Sequence, residues 1–194
     1  MHPKEFRHQK CTTGRLTSLN LGNSEIIQGV NFDGDRRFRS LIDNPSNYPV
    51  LLYPGKDAID VRRGDVLSSA VGSRKLVVFL IDGTWHCSRK IARESLRLMR
   101  LPRLMIQPEA PSRFRIKRQP HSWCLSTIEA THEFFLALEA GGLDVYPDKT
   151  RLLDAFNAMQ DFQVLQTESA RRSPRHVVRG HRVALGATVD AMEA

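Results

Sequence analysis

The sequence predicts a single α/β domain in which helices flank a parallel β-sheet, and three short apolar segments lead to this prediction. Residues 76–81 form an unbroken apolar run, residues 50–53 form a shorter one, and residues 103–106 consist of Arg103 and three apolar residues. Unbroken apolar runs are typical of parallel strands that are buried on both faces. Each segment is followed by a turn and then by a helical pattern, and this alternation favours a parallel α/β layer. The length of 194 residues suits one such domain.

The first half of the chain supplies further elements around the predicted sheet. Thr12 or Thr13 is expected to cap a short helix, because a leucine-containing stretch follows them. Residues 25–32 are expected to form a strand. A turn at residues 33–35 then leads into a short basic helix. One more helix is expected between residues 60 and 73.

The second half of the chain is expected to be mainly helical. Residues 86–100 show one helical pattern that ends before Pro102. Ser126 and Glu129 have the spacing of a capping box, which predicts a helix that runs to about residue 139 before two glycines. A last helix is expected over residues 148–166. We therefore divide the chain into a folded domain, residues 1–167, and a basic tail, residues 168–194.

The excess of positive charge favours an anionic partner. The chain has 29 Lys and Arg against 21 Asp and Glu, which gives a net charge of +8 and a pI near 9.9. Nucleic acid is the simplest partner of this kind. The three cysteines are far apart and form no paired motif, so we expect neither a disulfide framework nor a metal site. No segment resembles a membrane span or a signal peptide, and we expect a soluble, cytoplasmic protein.

Polar and aromatic residues directly follow the longest apolar run. They are Asp82, Gly83, Thr84 and Trp85. Open α/β sheets bind their ligands at the carboxyl ends of the strands, so these residues predict a site for a small ligand. The simpler interpretations are that Asp82 caps the next helix and that Trp85 packs in the core.

A row of cations between two prolines predicts a second site beside the first. If residues 113–118 are extended, Arg113, Arg115 and Lys117 lie on one side, and the apolar residues between them lie on the other. Such a row suits RNA phosphates, which would make binding depend on salt. A solvated charged surface is the alternative interpretation. The candidate RNA-binding residues are Arg113, Arg115, Lys117, Arg118, Arg93 and Arg97.

Several blocks of the sequence together resemble the DTW-domain family. Asp82, Gly83, Thr84 and Trp85 resemble the motif that names the family, and residues 111–117, 119–120 and 125–130 resemble its second signature. The blocks at residues 2–5, 13–15 and 51–55 are also similar to the family pattern. These blocks occur in the family order, and the resemblance covers most of residues 1–165.

The resemblance implies a tRNA-uridine aminocarboxypropyltransferase, related in fold to the SPOUT class, whose chain forms a knot around S-adenosylmethionine. Such enzymes move the 3-amino-3-carboxypropyl group of this co-substrate onto N3 of a uridine and release 5′-methylthioadenosine. The resemblance also implies a monomer. Many members have a Cys-rich segment before the block at residues 2–5. The chain starts inside the expected first strand, so we expect a truncated or mis-assigned N-terminus.

The resemblance implies roles for particular residues. The catalytic candidates are Asp82, Thr84 and Trp85, with Asp82 as the base for uridine N3–H or as the group that contacts the donor's ammonium. The candidates for binding S-adenosylmethionine are Leu52, Tyr53, Pro54, Gly55, Trp85, Leu125, Ser126, Thr127 and Glu129. The capping box explains Ser126 and Glu129 without any ligand.

Three functions stay open at this point. The first is the aminocarboxypropyltransferase, acting on tRNA or rRNA. The second is a SPOUT-like RNA methyltransferase that uses the same donor at a different carbon. The third is an RNA-binding module without catalytic activity.

Overall fold

The structure, a computed structural model, describes residues 1–9, 11–117 and 119–172. Its centre is a four-stranded, all-parallel sheet with the strand order β2-β4-β1-β3. The strands are β1 (Asn47–Leu52), β2 (Ile59–Asp60), β3 (Lys75–Leu80) and β4 (Arg103–Met105). The helices are α1 (Pro3–His8), α2 (Thr13–Asn20), α3 (Arg36–Ile42), α4 (Gly64–Val71), α5 (Trp85–Glu94), α6 (Leu96–Met99), α7 (Thr127–Ala140) and α8 (Arg151–Arg172). The prediction of a parallel sheet flanked by helices is confirmed.

The strand that is buried on both faces is β1, and the prediction that the apolar run of residues 76–81 has this position was wrong. β3 lies at the edge of the sheet, and its apolar side chains are only half-buried. β1 lies between β3 and β4, and its residues Val50 and Leu51 are both 0% exposed. An apolar run predicts that the side chains of a strand are buried, but it does not predict that the strand is central. Helices also cover the side chains of an edge strand in part.

Two apolar clusters cover the two faces of the sheet. Consecutive side chains of a strand point to opposite faces, so Val50 and Leu51 belong to different clusters. Val50 packs with Leu104 and with α4 and α7, while Leu51 packs with Phe38 of α3 and with α5 and α6. A third cluster joins α7 to α8 through residues such as Phe156. The core therefore fixes α5 and α7 on opposite faces of the sheet, with the starts of both near its carboxyl edge.

The helix α7 is held against α4 by direct contact between two backbones. A Cβ atom at Gly64 would lie 2.8 Å from Cα of Gly141, and one at Gly141 would lie 3.1 Å from Cα of Gly64. Contacts this close leave no room for a side chain at either position. The end of α7 is therefore fixed in place by two glycines.

The predicted helix over residues 86–100 is broken at Ser95, and the predicted strand over residues 25–32 was wrong. Ser95 is completely buried, and its hydroxyl donates to Val30 O at 2.8 Å and accepts from Phe32 N–H at 3.1 Å. Asp33 then accepts the N–H groups of the first two residues of α6. These side-chain bonds replace helical and sheet bonds, and a sequence pattern does not reveal them.

Other boundaries differ by a few residues. β1 begins at Asn47, earlier than predicted, and contains Pro49. This proline is tolerated because the pairing of β1 with β4 covers only Leu51 and Leu52, so a backbone N–H at residue 49 is not needed there. The helix α1 and the two-residue strand β2 were missed, since both are too short to show a period.

The remaining predicted helices are confirmed. The structure contains α2 with Thr12 as its N-cap, α3, α4, α7 with its capping box, and α8. α8 continues to Arg172, so the proposed division at residue 167 falls inside it. Residues 173–194 of the predicted basic tail lie outside the described residues. In the described part of the chain, no helix has the length and apolar character needed to cross a membrane.

Candidate functional site

A cavity of about 320 Å³ lies at the carboxyl edge of the sheet, where the sequence predicts a ligand site. The ends of β1, β3 and β4 form one wall, and the start of α7 faces them. Predicted site residues that line it are Leu52, Tyr53, Pro54, Asp82, Thr84, Trp85, Leu125, Ser126 and Thr127. Residues from three separate blocks of the sequence thus meet around one hollow. Its volume is in the range of small-molecule sites.

Asp82 is a buried acidic residue that lines this cavity. It follows β3 directly and is 8% exposed. Its Oδ1 accepts a hydrogen bond from Thr127 Oγ1 at 2.7 Å, and the backbone N–H of Gly14 also donates to its carboxylate. Asp82 is therefore held by a hydroxyl from α7 and by an amide from α2.

Gly14 is a site residue that the sequence analysis did not identify. A Cβ atom at this position would lie 2.3 Å from Cγ of Asp82 and 2.4 Å from its Oδ1. The missing side chain is what lets the carboxylate reach the backbone of α2. The available signal was the block at residues 13–15, which resembles the family pattern but carries no side chain with obvious chemistry.

Burial raises the pKa of Asp82 above its ordinary value. The hydrogen bond from Thr127 and the nearby ammonium of Met1 lower this pKa, the nearby carboxylate of Glu5 raises it, and the bond from Gly14 lowers it. Because loss of solvation dominates, the proton is held more tightly than on a free aspartate. A carboxylate of this kind is a better proton acceptor once it is ionised, which suits a general base.

Glu129 is a buried carboxylate whose bonds fit the capping-box interpretation that the sequence left open. It does not appear among the described residues that line the cavity. Its Oε2 accepts from Ser126 N–H, Ser126 Oγ and Ser112 Oγ, and its Oε1 accepts from Arg113 N–H at 2.6 Å. These bonds satisfy the carboxylate and tie the basic segment to the start of α7. Glu129 therefore positions the residues beside the cavity.

Thr84 and Trp85 begin α5 at the cavity wall. Thr84 is the N-cap of this helix, and its Oγ1 accepts from Cys87 N–H at 3.4 Å. Thr84, and not Asp82, therefore caps α5, and Thr84 also lines the cavity. Gly55 does not line the cavity in the described structure and lies against Arg103, which pairs with Asp57 at 3.3 Å.

An aromatic group at the cavity was missed by sequence reasoning. Trp123 lines the cavity and is 51% exposed. Trp85 meets it edge to face, with ring centroids 6.3 Å apart and planes at 80°. His121 stacks on it at 5.0 Å with planes at 8°. The only signal in the sequence was that His121 and Trp123 follow soon after the cations of residues 113–118.

The basic segment shows the predicted alternation without forming a strand. Arg113, Arg115 and Lys117 are exposed, whereas Phe114 is half-buried and packs on Phe156 with centroids 5.1 Å apart. Lys117 lines the cavity, and its Nζ donates a hydrogen bond to Oε1 of Gln9 at 3.0 Å.

The other candidate cations lie elsewhere or are paired. Arg115 pairs with Asp161 at 2.6 Å, and Arg93 lies 3.7 Å from Glu94. Arg97 pairs with Asp43 near the start of β1, which is the opposite end of the sheet from the cavity. The structure therefore does not bring Arg93 and Arg97 together with the cavity. Arg118 lies outside the described residues.

The described residues contain no group of three or more His, Cys, Asp or Glu side chains placed to hold a metal ion. The polar groups of the cavity include carboxylates, hydroxyls, the ammonium of Lys117 and the amide of Gln119. Such a set can bind an ammonium group, a carboxylate and a nucleobase.

Comparison with known proteins decides the family. The family model described as the DTW domain matches residues 1–164. The chain belongs to the DTW-domain family. The family resemblance inferred from the sequence blocks is thereby confirmed.

Named relatives of this DTW-domain chain are described as tRNA-uridine aminocarboxypropyltransferase 2. The chain is 31% identical to the protein of Drosophila melanogaster over 72% of its own length and 54% of the relative's. It is 27% identical to that of Macaca fascicularis over 67% of the chain and 41% of the relative, and 29% identical to that of Mus musculus over the same two shares. The chain thus spans about half the length of the curated relatives it matches. No solved structure matches the chain.

The contact between Gly14 and Asp82 predicts a specific effect of a single methyl group. We expect Gly14→Ala to lower the free energy of unfolding by about 1–3 kcal/mol, because the new Cβ would overlap the Asp82 carboxylate. Urea denaturation measures this change. Gly22→Ala is the matched control, since nothing lies within 4 Å of a Cβ there. Equal stability of the two variants would contradict the proposed role of Gly14.

The raised pKa of Asp82 predicts how stability depends on pH. A raised pKa favours the protonated form in the folded state, so its stabilising effect is present at low pH and is lost as the pH rises. We expect the free energy of unfolding of the wild type, relative to Asp82→Asn, to fall as the pH rises above about 4, the ordinary pKa of an aspartate. Denaturation at a series of pH values measures the difference. A difference that stays constant or grows would show that the pKa is not raised.

Proposed function

We propose that this protein transfers the 3-amino-3-carboxypropyl group of S-adenosylmethionine to N3 of a uridine in tRNA. The observation that carries this proposal is the buried Asp82 carboxylate, with its raised pKa, in a cavity at the carboxyl edge of a parallel sheet. The names of the relatives support the reaction and the substrate. The family membership supports the use of the same site.

The reaction requires a base and accurate positioning. The N3 atom of the uridine forms a bond to the carbon next to the sulfonium, and the bond from that carbon to sulfur breaks. The electron pair of the broken bond stays on sulfur, which leaves as neutral 5′-methylthioadenosine. The N3 proton passes to Asp82, whose raised pKa suits it for accepting a proton.

The cavity offers separate surfaces for the parts of the donor. Leu52, Tyr53, Pro54 and Leu125 supply an apolar wall for the adenosine. Ser126 and Thr127 lie at the start of α7, a helix of 14 residues, whose partial positive charge favours the donor's carboxylate. Trp85 supplies an aromatic surface near the sulfonium. Holding the donor at these points selects which of its three sulfonium carbons meets the nucleophile.

The basic row next to the cavity supplies the surface for tRNA. Arg113, Arg115 and Lys117 are exposed beside the site, and Lys117 reaches its lining. We assign contacts with tRNA phosphates to these residues. Glu129 acts indirectly, because it bonds the backbone of Arg113 and both groups of Ser126.

The same proposal includes a knotted fold, a monomeric state and a cytoplasmic location. An all-parallel sheet with its polar site at the carboxyl edge supports a SPOUT-like fold in which the chain is knotted around the donor site. We further propose that the protein acts as a monomer in the cytoplasm. A crystal structure with bound donor tests the knot, and light scattering tests the monomer.

The decisive experiment is mass spectrometry of nucleosides from an unmodified tRNA transcript incubated with the protein and S-adenosylmethionine. We expect one uridine to gain an aminocarboxypropyl group and 5′-methylthioadenosine to be released. Asp82→Ala should reduce the rate by about 100-fold or more, as loss of a general base does. Asp154→Ala, at an exposed position on α8, is the matched control and should retain full activity.

Other outcomes would identify a different function. A methylated nucleoside together with S-adenosylhomocysteine would make the protein a methyltransferase. Full activity of Asp82→Ala would remove Asp82 from the mechanism. Binding of tRNA with no product and no binding of the donor would leave an RNA-binding module.

A further inference from the structure

Glu5 is a second buried carboxylate in the cavity, and the sequence analysis gave it no role. It lies on α1, lines the same cavity as Asp82 and is 6% exposed. Among the described side chains, the hydrogen bond to its carboxylate comes from the thiol of Cys87, with Sγ at 4.0 Å from Oε1. A thiol is a weak donor, and this distance is at the outer limit for sulfur. The buried carboxylate thus has far less compensation than Glu129 has.

Gly83 brings Glu5 next to the catalytic end of the cavity. A Cβ atom at Gly83 would lie 3.7 Å from Cγ of Glu5 and 3.2 Å from Cβ of Cys87. Glu5 also raises the pKa of the neighbouring Asp82. Glu5 and Asp82 therefore both lie beside Gly83, and the charge of Glu5 raises the pKa of Asp82.

Two neighbouring carboxylates in a buried site are stabilised by a nearby cation. Unpaired buried charge is costly, and a second acid nearby increases the cost. The described cavity lining contains one cationic side chain, Lys117, whose ammonium is bonded to Gln9. The buried Met1 ammonium lies near Asp82, so the positive charge that compensates Glu5 is the one expected from the ligand.

We propose that Glu5 binds the α-ammonium group of the aminocarboxypropyl chain of S-adenosylmethionine. This inference rests on the proposed function and adds a specificity-determining residue to it. The start of α7 takes the α-carboxylate, Glu5 takes the ammonium, and Asp82 stays available for the N3 proton. The transferred chain is then held at its far end, which directs its reactive carbon, rather than the methyl group, toward the uridine.

The test compares two ligands on one isosteric variant. 5′-Methylthioadenosine has the adenosine part of the donor and lacks the ammonium. In calorimetry, Glu5→Gln should weaken binding of S-adenosylmethionine by about tenfold or more, as loss of a charged hydrogen bond does, and should leave binding of 5′-methylthioadenosine unchanged. Glu109→Gln is the matched control, because its side chain is 86% exposed and lies outside the cavity lining.

The possible results separate the two proposals. Unchanged binding of S-adenosylmethionine by Glu5→Gln, or an equal loss for both ligands, would overturn the role of Glu5. Failure of the wild type to bind either ligand would overturn the proposed function itself. If Glu5→Gln does not fold, Glu5→Asp replaces it, since the shorter acid keeps the charge and should lose affinity for S-adenosylmethionine alone.

A second and independent observation concerns the mouth of the cavity. Trp123 is a large aromatic side chain that lines the cavity and yet has half of its surface exposed. It is braced by the parallel ring of His121 and by the edge-to-face ring of Trp85. An exposed indole held in place by two other rings is preorganised for a planar ligand.

We infer that Trp123 stacks on the uracil ring that accepts the transferred group. A base that reacts at N3 must leave its own stack, and aromatic side chains replace this stacking in RNA-binding proteins. Lys117 is exposed and lines the same cavity, so its ammonium is available for a phosphate of the same nucleotide. This inference also rests on the proposed function, and it assigns Trp123 to the acceptor.

Steady-state kinetics with tRNA tests this assignment. Trp123→Ala should raise KM for tRNA by about tenfold, while Trp123→Phe should keep most of the wild-type value. Affinity for S-adenosylmethionine should not change in either variant. Phe162→Ala, at an aromatic residue of α8 that is 56% exposed, is the matched control. An unchanged KM, or a loss of donor affinity, would overturn the assignment, and absence of product from the wild type would instead overturn the proposed function.

Discussion

The hydrogen bonds of the Asp82 carboxylate hold together three parts of the chain that are far apart in sequence. The carboxylate follows β3, accepts from the backbone of Gly14 in α2, and accepts from Thr127 at the start of α7. Each contact requires an exact local shape, because a side chain at residue 14 would overlap the carboxylate. The same contacts leave the acid buried with two donors and an open cavity beside it. The groups that build the site thus also determine its chemistry.

The three buried acids near the cavity differ in how their charge is compensated. Glu129 is surrounded by donors from Ser112, Arg113 and Ser126, and it has a structural role as a result. Asp82 has two donors, and Glu5 has a distant thiol. The decreasing number of donors is the basis on which we propose ligand contacts for Asp82 and Glu5. A buried polar group with too few hydrogen-bond partners indicates a functional site, and only the folded structure reveals such a group.

The elements with strong local signals could be predicted, and those set by distant contacts could not. The strand β3, the capping box of α7 and the N-cap of α2 depend on residues close in sequence, and all were found. The break at Ser95 depends on bonds to Val30 and Phe32, more than 60 residues away, and no local pattern reveals it. In the site, the polar residues after β3 were identified from their position. Gly14, Glu5 and Trp123 were missed because their importance appears only when the chain is folded.

The close contact between Gly64 and Gly141 has a consequence for movement during a reaction cycle. It fixes one end of α7, and Thr127 and Glu129 fix the other. These contacts at both ends oppose a shift of α7 along its axis. The wall of the cavity that α7 forms is therefore expected to keep its position when a large nucleic acid binds beside it.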